Sequence, residues 1–352
     1  MSANPQVHKL RALAQRLIYV VLLWTVSTMV VGSFLRDRID GLPHVSFKSL
    51  VQGTAYRPYV YRALAPTIIR EVRDLVPDDT QARVTERAWN NRLYREAAER
   101  LKWNRENTTG YLVASGLFLL SFLGFAAVFR RMLLRIGRLG ETYSRVWTLV
   151  AIAGLPVMFK YYSYLYDPTQ LFVFTAGLLL LAERRWALYL PWLVLATFSK
   201  ETSILLVFLF AIHYLRELDR KTYLGLLSLQ AALFLGIKLW IEDRFADNPG
   251  GLAEFHLLRN LFLASYELAD FVALVLVGAI IARGWNRQPR FLRDGLWILV
   301  PLLVLTFFLG FLDEYRDYYE AYPIVLALLG ISISNALRDA EIDRAGVAPR
   351  SP

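Results

Sequence analysis

Trp186–Leu215 reads WALYLPWLVLATFSKETSILLVFLFAIHYL. It consists of two apolar runs, Trp186–Phe198 and Ser203–Leu215, around the polar tetrad Ser199-Lys200-Glu201-Thr202. How these residues are read decides the topology. A helix needs about 20 apolar residues to cross roughly 30 Å of hydrocarbon, so the segment is either one long helix with a charged middle or two short helices joined by a turn. Charge at membrane depth is costly, and the placement of Lys and Arg arbitrates, since basic residues collect in short cytoplasmic connections. With a turn at Ser199–Thr202, 20 basic residues fall in short segments on the inner side against 5 outside (Lys160, Lys200, Arg244, Arg259 and Arg316). With one helix, ten of those twenty would flip outward. The turn is therefore the better reading.

Working outward, long apolar runs occupy Leu17–Leu35, Tyr111–Phe129, Val146–Leu165, Thr222–Ile241, Leu261–Ala282, Leu296–Leu312 and Pro323–Leu337, with a further short one at Leu171–Ala182. The pattern predicts an all-α polytopic membrane protein of about ten transmembrane helices, several of them short, with both termini cytoplasmic. Short helices are tolerated where they pack inside protein rather than against lipid. The first run follows Lys9, Arg11 and Arg16 and is longer than the core of a cleavable signal, so it reads as an uncleaved span. We expect one transmembrane domain over residues 1–337 and a cytoplasmic tail over 338–352.

The composition agrees. Of 352 residues, 56% are hydrophobic and mean hydropathy is +0.36, both high for a soluble domain. Aromatic residues make up 14%, enough for interfacial Trp and Tyr belts. The absence of cysteine excludes disulfides and thiolate metal sites, and the four histidines are too scattered for a zinc site. The net charge of +10 lies in the connections between apolar runs, as topology signals do, so nucleic acid is not an expected partner. No Gly-rich phosphate loop or nucleotide fingerprint is present.

The one long polar segment is 36–108, expected to be the first external loop. It begins Arg36-Asp-Arg-Ile-Asp40 and runs through His44-Val-Ser-Phe47 to Tyr56-Arg-Pro-Tyr-Val-Tyr-Arg62. Two amphipathic patterns follow, one through Leu64, Ile68, Val72 and Leu75, the other through Val84, Ala88, Trp89, Leu93, Ala97 and Leu101. Both should lie along the membrane surface.

Carboxylates at the ends of spans are candidate general bases. Asp37 and Asp40 follow the first span directly, and Asp167, in Tyr166-Asp167-Pro168-Thr169, opens a short helix on the same face. Each has a structural alternative. Arg36-Asp37-Arg38-Ile39-Asp40 can pair internally, and Asp before Pro is a good helix start. Arg57, Arg62, Lys200 and Arg316 are candidate cations for a phosphate, with Glu201 beside Lys200. Glu267 and Asp270 share a helix face and either cap it or offer oxygen ligands, so a divalent cation is the one cofactor left open. Asn107-Thr108-Thr109 matches a glycosylation sequon lying against the second span.

Together, the acidic residues after the first span, the long first loop, Tyr166-Asp167 before a short helix, Phe198-Ser199-Lys200-Glu201-Thr202-Ser203 between short helices and Glu314-Tyr315-Arg316 before Pro323 resemble the GT-C class of membrane glycosyltransferases. The resemblance is loose and spans roughly Leu17–Leu337. It implies transfer of a hexosyl or pentosyl group from a polyprenyl-phosphate sugar to a glycan or lipid acceptor, with inversion, at the outer face of a bacterial inner membrane during cell-envelope polysaccharide assembly. It also implies an Asp of the first loop, Asp40 or Asp37, as base. This chain carries Asp37-Arg38-Ile39-Asp40 where the commoner pattern is a pair of adjacent acids. Two alternatives remain: a non-catalytic GT-C-like assembly protein, or a transporter or flippase of a lipid-linked or anionic substrate using Lys238, Glu267 and Asp270.

Overall fold

The computed structural model describes residues 5–36, 39, 43–159, 164–251, 254–265 and 267–344. Among these the chain is helical, and no strand forms. Helix α1 (Pro5–Arg36) leads into the first loop, which carries α2 (Phe47–Gln52), α3 (Leu64–Asp74), α4 (Asp78–Asn90) and α5 (Arg92–Leu101). Ser46 caps α2, its Oγ accepting from the Ser49 amide at 3.1 Å. Asn91 splits the second amphipathic stretch into α4 and α5, its Oδ1 accepting from the Tyr94 amide at 3.1 Å.

The two expected stripes face differently from the simple pattern. On α3 the buried residues are Ala65, Pro66 and Ile69, while Val72 and Leu75 stay exposed. On α5 Ala98 is buried and Leu93 exposed. The stripes are thus only partly turned to protein: Ile69 is buried and Leu64, Trp89 and Leu101 pack against the core. Val72, Leu75 and Leu93 look outward, where a membrane surface would receive them.

The centre of the molecule is α6 (Thr108–Arg135), which packs on α1, α3, α4, α7 (Glu141–Ala153) and α8 (Asp167–Ala182). Its buried face carries Tyr111, Phe118, Phe122, Phe125 and Phe129, with Phe34 of α1 edge-on to Phe118 at 5.1 Å. The first loop is pinned to its start, where Trp89 Nε1 donates to Thr108 Oγ1 at 2.9 Å and Trp103 stacks on Tyr111 at 4.6 Å. Thr108 and Thr109 of the sequon are buried there. α8 is apolar on every side and buried for most of its length, as a helix in the middle of a bundle must be.

The tetrad at 199–202 is a chain reversal. α9 (Trp186–Ser199) stops where Lys200 adopts an extended backbone (φ −163°, ψ 145°). A short 3-10 turn, Glu201–Ser203, then feeds α10 (Ile204–Tyr214). Glu201 meets Arg62 of the first loop, whereas Glu217, just beyond α10, meets Arg184 and Arg290 at the other end of the helices. The two ends of α10 thus sit on opposite ends of the bundle.

The remaining helices are α11 (Arg220–Arg244), α12 (Leu257–Phe262), α13 (Leu268–Arg283), α14 (Arg290–Gly295), α15 (Leu299–Leu309) and α16 (Tyr322–Arg344). The run expected as Leu261–Ala282 is broken between α12 and α13. Glu267 and Asp270 are the reason, forming a reciprocal capping box that starts α13. α16 runs on past Leu337 to Arg344, so the start of the expected tail is helical.

Among the described residues, six helical stretches are long and apolar enough to cross a membrane: Leu10–Arg36, Arg105–Arg135, Glu141–Phe159, Arg220–Arg244, Arg290–Leu309 and Tyr322–Arg344. Three apolar helices are shorter, Asp167–Ala182, Trp186–Ser199 and Glu201–Tyr214. At 1.5 Å per residue none of the three reaches about 30 Å alone. Large exposed side chains on α1, α11, α13 and α15, among them Leu17, Trp240, Leu274 and Val304, complete a surface consistent with a multi-pass membrane protein.

Candidate functional site

A cavity of about 190 Å³ opens where the first loop, the α9–α10 turn, α11 and the α15–α16 connection converge. Arg62 reaches it from the first loop. Its Nη2 donates to Glu201 Oε1 at 2.7 Å, its Nε to Oε2 at 3.3 Å, and its Nη1 to the Tyr166 hydroxyl. This is the two-pronged geometry that suits a guanidinium and a carboxylate. Burial works against the Arg62 charge. The Glu201 carboxylate and the Tyr166 hydroxyl more than offset that penalty and hold the guanidinium well above its usual range.

Arg316 comes from the α15–α16 connection. Its Nε and Nη2 lie 2.8 and 2.6 Å from Glu314 Oε2, and its guanidinium sits 4.2 Å from the Tyr164 ring centre. Between the two arginines stands a stack of three tyrosines. Tyr59 and Tyr164 are 5.5 Å apart, as are Tyr164 and Tyr166. Burial pushes the Tyr59 hydroxyl upward, and pushes the Glu314 carboxyl upward too, with Arg316 pulling the latter back. Burial opposes the Arg316 charge as well, but Asp317 and Glu314 outweigh it and raise its pKa. With Nε and Nη2 on Glu314, the Nη1 amino group has no hydrogen-bond partner among the described residues, and a guanidinium carries five N–H groups.

The connection bearing Arg316 is held at both ends. Asn260 Nδ2 donates to the carbonyls of Thr306, Phe307 and Gly310 at 2.9 to 3.1 Å, taking the orphan acceptors at the end of α15. Asp317 accepts from the Phe311 amide at 3.3 Å. The roof of the cavity is fixed by a second clamp. Arg57 N donates to Pro249 O and Arg57 Nη2 to Gly250 O, both at 2.8 Å. Asn248 Nδ2 donates to Gly53 O and Ala55 O at 3.0 and 2.8 Å. Gly250 has φ +94°, and a Cβ there would lie 2.5 Å from the Arg57 carbonyl oxygen, so this close approach requires glycine.

The expected site residues therefore divide. Arg62, Glu201 and Arg316 line the cavity, and Arg57 clamps its roof. Lys200 turns inward, 3.6 Å from the fully buried Glu320, which also accepts from Gln170 Nε2 at 3.1 Å and from Thr202. Glu320 Oε2 and Gln170 Oε1 have no hydrogen-bond partner among the described residues. Asp167 is buried and accepts the Tyr164 amide at 3.0 Å, tying down the turn that presents the tyrosine stack. Asp37 and Asp40 lie outside the described residues, as does Lys160.

The cavity also holds Glu254, His256 and Asp317, which the sequence reading did not single out, and Lys238, which it assigned only to the transporter alternative. Lys238 is 3.0 Å from Glu242 and 4.6 Å from the Tyr61 ring centre. Glu254 accepts from the Tyr59 hydroxyl at 3.2 Å and lies 3.3 Å from His256 Nε2. The signal for Lys238 was present, a lysine inside an apolar run. Glu254 and His256 sit in a polar connection with no periodicity to mark them.

Chemically, the cavity presents cations already matched to carboxylates, Arg62 to Glu201, Arg316 to Glu314 and Lys238 to Glu242, and the His256 ring lies beside Glu254. Such a lining holds an anionic group by sharing N–H donors fixed in direction by aromatic faces, and keeps carboxylates at hand for proton transfer. No cluster of three or more His, Cys, Asp or Glu suited to a metal ion occurs among the described residues. No protein-family model matches the chain, and neither a curated protein nor a solved structure does.

Proposed function

We propose that this chain is a membrane glycosyltransferase of the GT-C kind, moving a sugar from a polyprenyl-phosphate donor to a glycan or lipid acceptor at the outer face of a bacterial inner membrane. One observation carries the reading. Arginines, carboxylates and stacked tyrosines from four separate connections converge on a single cavity at one end of the bundle. The basic connections 130–145, 184–185, 216–221 and 283–293 belong to the opposite end, where Arg131–Glu183, Arg184–Glu217 and Arg290–Glu217 pair. By the positive-inside rule that end is cytoplasmic and the cavity external, in a ten-span topology in which α8, α9 and α10 cross within protein.

In this reading a carboxylate takes the proton of the acceptor hydroxyl, and the hydroxyl oxygen bonds to C1 of the sugar. The C1–O bond to phosphate breaks, and polyprenyl phosphate leaves with its negative charge held by Arg316 and Arg62. Asp40 or Asp37, directly after α1, is the proposed base. The test uses the full chain in nanodiscs with polyprenyl-phosphate monosaccharides, following transfer and donor binding separately. Asp40→Asn should reduce transfer by about 100- to 10,000-fold with donor binding retained, and Arg316→Ala should weaken donor binding. A double variant lacking both Asp37 and Asp40 that still transfers at the parent rate would overturn the base assignment. Failure of the parent chain to bind any such donor would overturn the reading.

A further inference from the structure

A second cleft, of about 590 Å³, lies at the other end of the bundle between the C-terminal end of α13 and the outer half of α16. Its lining is part apolar, with Ile280, Trp285 and Leu337, and part polar, with Arg283, Asn286 and Asn335. We propose that this cleft binds the phosphate headgroup of an anionic phospholipid, with the acyl chains running along α13.

Three observations converge on that occupant. α13 packs chiefly on α16 and leaves Leu274 and Val275 71% and 67% exposed, so the helix that ends at the cleft carries an apolar face that acyl chains would cover. Within the cleft, Arg287 is matched to Asp339 at 2.7 Å, whereas Arg283 has no ion-pair or hydrogen-bond partner among the described residues. One uncompensated guanidinium beside two side-chain amides, at the end of an apolar helix, calls for a phosphodiester. Finally, the turn bearing Trp285 and Asn286 is anchored. The buried Gln288 donates to Leu328 O at 2.9 Å and Ser332 Oγ at 2.7 Å, and Arg293 lies 5.7 Å from the Trp285 ring centre. This turn is thus held in register with α16 before any lipid arrives. A small anion would satisfy Arg283 but leave the apolar lining uncovered, which is why a lipid is the better fit. The inference needs only that the chain sits in a membrane, and it stands apart from the sugar-transfer reading.

The test is lipid binding by the full chain in neutral detergent, titrated with phosphatidylglycerol or phosphatidylcholine and followed by native mass spectrometry and thermal shift. Phosphatidylglycerol should bind more tightly than phosphatidylcholine, and Arg283→Gln should erase about five-fold of that preference without shifting the unliganded Tm, since Arg283 is exposed. Leu337→Trp, which fills the apolar part of the cleft, should weaken both lipids. Equal affinity for the two lipids, or an unchanged preference in Arg283→Gln, would overturn the proposal. Displacement of the lipid by millimolar inorganic phosphate alone would overturn it too, by making the cleft a small-anion site.

Discussion

The pair Arg62–Glu201 decides whether the cavity keeps its shape. The side chains are 13% and 34% exposed, so the pair is partly buried, and removing one partner strands the other's charge. Glu201→Ala should cost about 2–3 kcal/mol, below the 3–5 kcal/mol of a fully buried pair because water reaches Glu201. Thermal unfolding of the full chain in detergent would show it, and a loss under about 0.5 kcal/mol would mean that the pair is not holding the first loop. Arg62→Lys should lose a similar amount, since an ammonium cannot make the fork or lie flat near Tyr166. Glu314 adds a pH signature. Burial raises its pKa in the folded chain, so the folded state holds that proton more tightly than the unfolded one. Its contribution to stability is therefore lost as pH rises from the ordinary glutamate range through the raised value. Glu314→Gln should flatten that part of the Tm-against-pH curve, and an identical slope in parent and variant would refute the assignment. The pairing of Arg62 with Glu201 was not legible in the sequence, whereas that of Arg316 with an adjacent acid was. Arg62 and Glu201 stood out as charges near a membrane, but 139 positions separate them, and nothing in either motif says that they neutralise each other.

At the scale of elements, the sequence spoke most clearly where a break carried a chemical signature. The reversal at Ser199–Thr202 was readable because charge interrupts two apolar runs; the start of α13 was not, because Glu267 and Asp270, though at capping spacing, stood inside a run read as the unbroken span Leu261–Ala282. What could not be read was which face of α3 and α5 turns inward, because apolar spacing alone does not distinguish protein from a membrane surface as its partner. The topology inferred from the reversal is testable with single cysteines in a chain that has none of its own. Cysteines at the exposed Asp247 and Arg216 should label oppositely with an impermeant thiol reagent, Asp247 from outside and Arg216 only after permeabilisation. Labelling of both from one side would refute the ten-span arrangement. The α7–α16 seam offers a packing test. A Cβ at Gly330 would stand 2.4 Å from Trp147 Nε1, and that indole is fixed by its 2.7 Å bond to Leu326 O. Gly330→Ala should therefore destabilise by about 1–3 kcal/mol through overpacking, read as a lowered Tm. An unchanged Tm would mean that the two helices slide apart easily.

For the whole molecule, the helical membrane architecture was legible from hydropathy, and the segregation of basic connections from the cavity end was legible from charge. The cavity was not, because its walls come from residues 58 to 317 and only the packed bundle brings them together. That separation bears on how the protein is made. The roof of the cavity, around Gly53–Arg57, is fastened by Asn248, Pro249 and Gly250, a stretch that leaves the ribosome almost two hundred residues later. Chains fold from the N-terminal end as they are synthesised, so the roof waits unfastened while α6 to α11 are being made. A nascent chain halted before Asn248 should be cut by protease within 53–62, and one halted beyond Gly250 should resist. The cavity, on this view, is closed by the arrival of the connection that follows α11, and until then the growing chain stays open there.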